Sequence, residues 1–161
     1  MRYGIGIGII ALMVAGAAAD GYRAYRPVIA QALVQADPAG RAVLRTAHRM
    51  VAEGVIVRGS CWDYLQAVYR RAGYPRARRT VVLRHPKSGP YATAAQIRPG
   101  DWLYYINHSY GDVEHSGLFV GWIDRRRMQG LILSYGGQHR KRPGRYRTYD
   151  LGSVYQITRA H

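Results

Sequence analysis

Cysteine is nearly absent from this chain of 161 residues: Cys61 is the single thiol. That excludes an internal disulfide and a cysteine-rich metal site, so whatever Cys61 does it does as a thiol. Acidic residues are scarce as well. The 9 Asp+Glu stand against 24 Lys+Arg for a formal charge of +15, which favours anionic partners such as nucleic acid, anionic lipid or cell-wall polymer without choosing among them. Lysine is almost missing, Lys87 and Lys141 being the two, and a GC-rich genome produces such an arginine skew with no functional demand. There is no internal repeat, linker or low-complexity tract. At 48% hydrophobic and 20% charged residues the chain is too apolar for disorder and too short for more than one ordinary domain.

No uncharged run is long enough to make a comfortable membrane span of ~20 residues. Arg2 precedes an apolar, uncharged stretch over residues 3–16, and Ala17-Ala18-Ala19 then supplies small residues before Asp20. This is the layout of a secretory signal peptide with an A-x-A-like cleavage site. The expected organisation is therefore a signal peptide over residues 1–19, an exported single domain over residues 20–161, and an uncleaved anchor as the alternative. No cysteine follows the apolar run, which excludes a lipoprotein. Residues 20–38 read as an entry segment interrupted by Pro27.

Further on, Val43, Leu44, Ala47, Met50 and Val51 recur at three- and four-residue steps before Gly54, the pattern of an amphipathic helix that carries His48. Ser60-Cys61-Trp62-Asp63 has the form of a capping box, so Cys61 opens a second helix that ends at Gly73 with Pro75 behind it. Residues 80–83 make a short strand candidate and residues 85–96 a loop. Pro99-Gly100-Asp101 is a turn signal leading into an aromatic strand at residues 102–106. Residues 116–123 and 130–135 form a hairpin with a charged tip, and residues 154–158 close the chain as a strand. Helices first and strands after is an α+β order, with about five strands expected in an antiparallel sheet.

A helix N-terminus lowers a thiol pKa, because unpaired N–H groups and the helix dipole stabilise the anion. A nucleophile there also needs a base. Of the six histidines, His48 reads as a helix-surface residue, His85, His108 and His139 lie in basic or loop segments, and His161 ends the chain. His115 opens an apolar strand, where a rigid scaffold would hold its ring. Taken singly, Cys61 is as well explained as a buried structural thiol and His115 as a strand-edge histidine satisfied by a carbonyl.

Taken in order, Gly59-Ser60-Cys61-Trp62-Asp63-Tyr64 with Val68-Tyr69-Arg70-Arg71-Ala72-Gly73, then Arg98-Pro99-Gly100-Asp101-Trp102-Leu103-Tyr104-Tyr105, then His115-Ser116-Gly117-Leu118-Phe119-Val120-Gly121, the chain resembles the NlpC-like cell-wall cysteine peptidases and, more distantly, the CHAP amidases. The resemblance runs from Gly59 to the carboxyl end. It implies a papain-like α+β fold with Cys61 as nucleophile and His115 as base, and it implies amide hydrolysis in peptidoglycan stem peptides with no metal or organic cofactor. The departures are Ser-Cys-Trp-Asp where those families have Asp-Cys-Ser-Gly, and no match to the tyrosine that helps bind the oxyanion upstream of the cysteine.

For the third catalytic member, pairing Trp122 with Leu131 across the hairpin sets His115 opposite Gln138, and His115, Gly117, Phe119, Ile132, Ser134, Gly136 and Gln138 then share a face. Gln138 is preferred on that register. A two-residue slip would bring in Gly136 or Arg140, and family motif position selects Ser134. Glu114 reads as a solvated strand-edge charge. Arg125-Arg126-Arg127, Arg140-Lys141-Arg142, Arg145 and Arg147, interleaved with Tyr146 and Tyr149, read as a solvated hairpin tip and loop that attract the anionic envelope. Nucleic acid is not an expected partner, since no nucleic-acid motif is present; peptidoglycan or another anionic envelope polymer is, peripheral membrane contact is compatible, and the expected state is a monomer. Two rivals stand beside the peptidase: a lipid deacylase or acyltransferase on the same fold, with Trp62 and Tyr64 suited to an acyl chain, and a non-catalytic basic module with Cys61 inert.

Overall fold

A computed structural model describes the backbone from residue 8 to residue 161 and the side chains from residue 21. The cleavage site and the whole of the expected signal peptide, residues 1–19, therefore lie outside the described residues where side chains are concerned. Three helices precede the sheet: α1 (Gly8–Gln35), α2 (Pro38–Ala52) and α3 (Cys61–Arg71). Six strands follow, β1 (Arg79–Arg84), β2 (Trp102–Asn107), β3 (Val113–Asp124), β4 (Gln129–Ser134), β5 (Arg145–Asp150) and β6 (Val154–Ala160). They form one antiparallel sheet in the order β1-β6-β2-β3-β4-β5. The α+β class holds, with six strands rather than five. No helix among the described residues is long and apolar enough to cross a membrane.

The added strand is β5. Its sequence, Arg-Tyr-Arg-Thr-Tyr-Asp, reads as a basic loop, yet Tyr146 pairs opposite Leu133 and is buried while Arg147 is exposed. A charged outer strand is what a sheet edge tolerates, because the charge discourages pairing with a second chain. Pro27 does not interrupt the entry segment either, for α1 runs through it. The cost of a missing helical N–H is met by the packing of Ile29, Ala32 and Ala36, all buried against the sheet layer.

α2 starts as a capped helix should: Pro38 occupies its first turn and Asp37 accepts the Gly40 N–H at 2.7 Å. Its apolar stripe of Val43, Leu44, Ala47, Met50 and Val51 is buried. The two helices α2 and α3 meet the sheet at the Pro99-Gly100-Asp101 turn. Gly100 (φ +94°) lies so close to Gly40 that a Cβ on it would fall 2.5 Å from the Gly40 Cα, so both positions need glycine. Tyr69 of α3 donates to the Gly100 carbonyl at 2.6 Å. Asp101, only 1% exposed, accepts the Arg98 N–H and both forks of Arg159 from β6 at 2.7 Å. One turn thus ties two helices to the middle of the sheet.

Side chains of alternating strand residues separate into two cores. Trp102, Leu118, Val120, Leu131 and Leu133 pack under the helices. Leu103, Tyr105, Phe119, Ile132 and Ile157 pack on the opposite face, where Ala92 and Ile97 of the long β1–β2 connection cover them.

Candidate active site

Cys61 is the first residue of α3, and the expected capping box is present. Trp62 donates its N–H to Ser60 Oγ at 3.2 Å, and Asp63 accepts the Ser60 N–H at 2.7 Å. These contacts fix the helix start, and the carboxyl of Asp63 is held low by its bonds from Ser60. The N–H of Cys61, being in the first turn, has no intrahelical acceptor and remains free to serve an oxyanion.

The hairpin register differs from the expected one. Trp122 pairs with Gly130 rather than Leu131, and an irregularity between Phe119 and Gly121 shifts the pairing by one residue more, so that Leu118 lies opposite Leu133. The total slip at the site is two residues, which keeps the faces but changes the neighbours. Gln138 is therefore not beside His115. Its Oε1 accepts the Gly59 N–H at 2.8 Å and its own N–H donates to the Gly59 carbonyl at 2.9 Å, a two-bond clamp on the loop that leads into Cys61. Ser134 lies against the ring instead, with Oγ 2.9 Å from His115 Nε2, and Tyr149 donates to the same Oγ at 3.3 Å.

The ladder between β3 and β4 ends at Leu118–Leu133, and β4 stops at Ser134. The first residues of β3 are left unpaired on that side, and the start of α3 fills the notch. Adjacent strand residues point to opposite faces, yet both Ser116 and His115 reach Cys61 here. Ser116 Oγ donates to Sγ at 3.5 Å, and His115 and the Ser116 backbone lie close enough to the sulfur to favour its anion. With Nε2 on Ser134, Nδ1 is the nitrogen left for the thiol. Burial pushes the Cys61 thiol up, but the hydrogen bonds from His115 and Ser116 and the charge of His115 outweigh it and bring it to about 7. Ser116 is the site neighbour that sequence reasoning missed. The residue simply follows His115, and nothing in one sequence marks it.

The other candidates fall elsewhere. Glu114 is an exposed strand-edge charge, as expected, bonded to Lys87 and to the Tyr155 hydroxyl. His108 pairs with Asp112. His48 is not a surface residue: it is half-buried, stacked on Tyr22 and 2.9 Å from the Tyr146 hydroxyl, and burial lowers its pKa. Arg125, Arg126 and Arg127 are exposed at the β3–β4 tip. Tyr64 is buried, stacked on Tyr135 at 4.4 Å, whereas Trp62 is 48% exposed beside the thiol. The Tyr104 hydroxyl lies near the Trp62 side chain and within the field of the thiolate. Among the described residues no group of three or more His, Cys, Asp or Glu could hold a metal ion. No family model, curated protein or solved structure matches the chain.

Proposed function

We propose that this protein is an exported papain-like cysteine hydrolase that cleaves an amide bond in peptidoglycan stem peptides. The observation that supports it most is the convergence of Cys61, His115 and Ser134: a thiol brought to about 7, an imidazole against it, and a hydroxyl on the far ring nitrogen. In the reaction, His115 takes the thiol proton and the Cys61 thiolate attacks the scissile carbonyl. The Cys61 N–H binds the oxyanion. His115 then returns its proton to the leaving amine, and water activated by the same imidazole hydrolyses the thioester. Ser134 acts as a positioning residue, accepting Nε2–H so that Nδ1 faces the sulfur.

The basic module is disfavoured because an inert buried thiol would have its pKa raised, not lowered. Export rests on residues 1–19, and cutting before Asp20 leaves the packing of Tyr22, Ile29, Ala32 and Ala36 intact. The test is mass spectrometry of muropeptides after incubation of purified peptidoglycan with the protein and with Cys61→Ala. New fragments are expected from the first alone. An unchanged muropeptide profile with wild-type protein refutes the proposal.

A further inference from the structure

Next to the thiol lies a groove of about 870 Å³ between α3 and the β1, β6 and β2 strands. That volume is at the upper end for ligand sites of ~300–1,000 Å³. Five arginines line it: Arg58 from the loop before α3, Arg70 near the end of α3, Arg76 after it, and Arg79 and Arg84 from β1. None of the five is in an ion pair among the described residues. The one acid on its wall, Asp63, is spent on the helix cap.

Arg79 is the most informative of them. Its guanidinium is half-buried, lies over the rings of Tyr69 at 5.1 Å and Trp102 at 5.9 Å, and donates to the Tyr74 carbonyl and to Gln66 Oε1, both at 2.8 Å. All those partners are neutral. A cation held rigidly without a counter-charge costs stability, and the cost is recovered when an anion arrives. The indole N–H of Trp102, another wall residue and buried, also has no acceptor. Trp62 and Tyr104 form the end of the groove that borders Cys61. Gln66, Gln156 and Thr158 join the arginines on its walls, and Val57, Val81 and Trp102 supply apolar surface between them.

We propose that this arginine-lined groove is the subsite for a carboxylate-bearing peptide segment of the substrate, with Arg79 and Arg84 as the specificity-determining residues. The assignment rests on the amide-hydrolase reading, which makes the substrate a peptide and its anionic groups carboxylates. Planar guanidinium forks bind carboxylates in pairs of parallel hydrogen bonds, which gives geometric selection beyond charge.

The test is calorimetric titration of the Cys61→Ala protein with tetraglutamate, tetraglutamine and tripolyphosphate at roughly physiological salt, where long-range attraction is screened. Tetraglutamate is expected to bind at least about tenfold more tightly than tetraglutamine, with Arg84→Gln and Arg79→Gln each weakening it about tenfold. Replacing Arg125, Arg126 and Arg127 at the distant hairpin tip with Gln should change it less than about twofold. Should Arg79→Gln fail to fold, Arg79→Lys keeps the charge, loses the fork and still weakens binding, and Arg84→Gln stands alone. Equal binding of the two peptides, tighter binding of tripolyphosphate, or equal loss in the hairpin-tip variant overturns the proposal. Because the titration needs no thiol, arginine-dependent binding without muropeptide cleavage would sink the hydrolase reading alone. Cleavage unaffected by Arg79 and Arg84 would sink the groove alone.

Discussion

Removing the His115 ring should change the chemistry of Cys61 in a direction the site geometry dictates. Two influences oppose each other at the sulfur: burial disfavours the anion, and His115 with Ser116 favours it, leaving the thiol at about 7. At pH 7 about half of Cys61 is then thiolate, against roughly 3% for an unperturbed thiol near 8.5. The ~16-fold gain in anion is partly offset, because lowering a thiol pKa by ~1.5 units cuts its intrinsic nucleophilicity about fivefold. Alkylation by iodoacetamide at pH 7 should therefore run only about threefold faster than for free cysteine. The pH midpoint is the sharper observable: near 7 in the wild type, with reactivity rising to a plateau above it. It is a property of the thiol–imidazole pair rather than of sulfur alone. In His115→Ala the burial penalty and the Ser116 contacts remain while the influence of His115 is gone, so the midpoint should climb toward about 8.5. Stopped alkylation read by intact-mass spectrometry across pH 5–10, with circular dichroism to show the fold is retained, measures both. A wild-type midpoint at or above 8.5, or one that His115→Ala leaves in place, refutes the dyad.

Ser134→Ala frees the far side of the imidazole and should lower kcat tenfold or more, a loss of ~1.4 kcal/mol in the transition state, with KM little changed; steady-state kinetics on a stem-peptide substrate decide it. Gln138→Ala breaks one of the two bonds of the Gly59 clamp and should cost about 1 kcal/mol of stability in a urea melt, with the alkylation midpoint of Cys61 unmoved; a shift in that midpoint as large as that of His115→Ala would return Gln138 to the catalytic set. Asp101→Ala strands the Arg159 guanidinium, which is largely shielded from solvent, and should destabilise the fold by about 3–5 kcal/mol, while wild-type-like melting would show that the turn is not the fastening described above. Protein recovered from its native host should begin at or near Asp20 on amino-terminal sequencing, and an intact Met1 would refute cleavage.

What could be read from the sequence was local. The cap at Ser60, the stripe on α2 and the turn at Pro99-Gly100-Asp101 depend on residues a few positions apart, whose propensities need no partner elsewhere in the chain. The thiol at a helix start was legible for the same reason, and so was the α+β order; His115 lies on the expected strand but as its third residue, since β3 begins at Val113. The third residue at the imidazole was not legible. It depends on strand register, and an irregularity between Phe119 and Gly121 plus a one-residue offset at Gly130 moved Gln138 away from His115, while Ser134 reaches the ring as a diagonal neighbour; no propensity sets such a slip, because it is fixed by how two sheet faces fill two cores. β5 was hidden because its alternation is carried by arginine and tyrosine, which look like a basic loop until Leu133 and Tyr146 are seen to pair. The groove was hidden for a further reason. Its arginines come from four stretches of chain, and scattered cations become a binding surface only when α3 and the sheet bring them to face one volume.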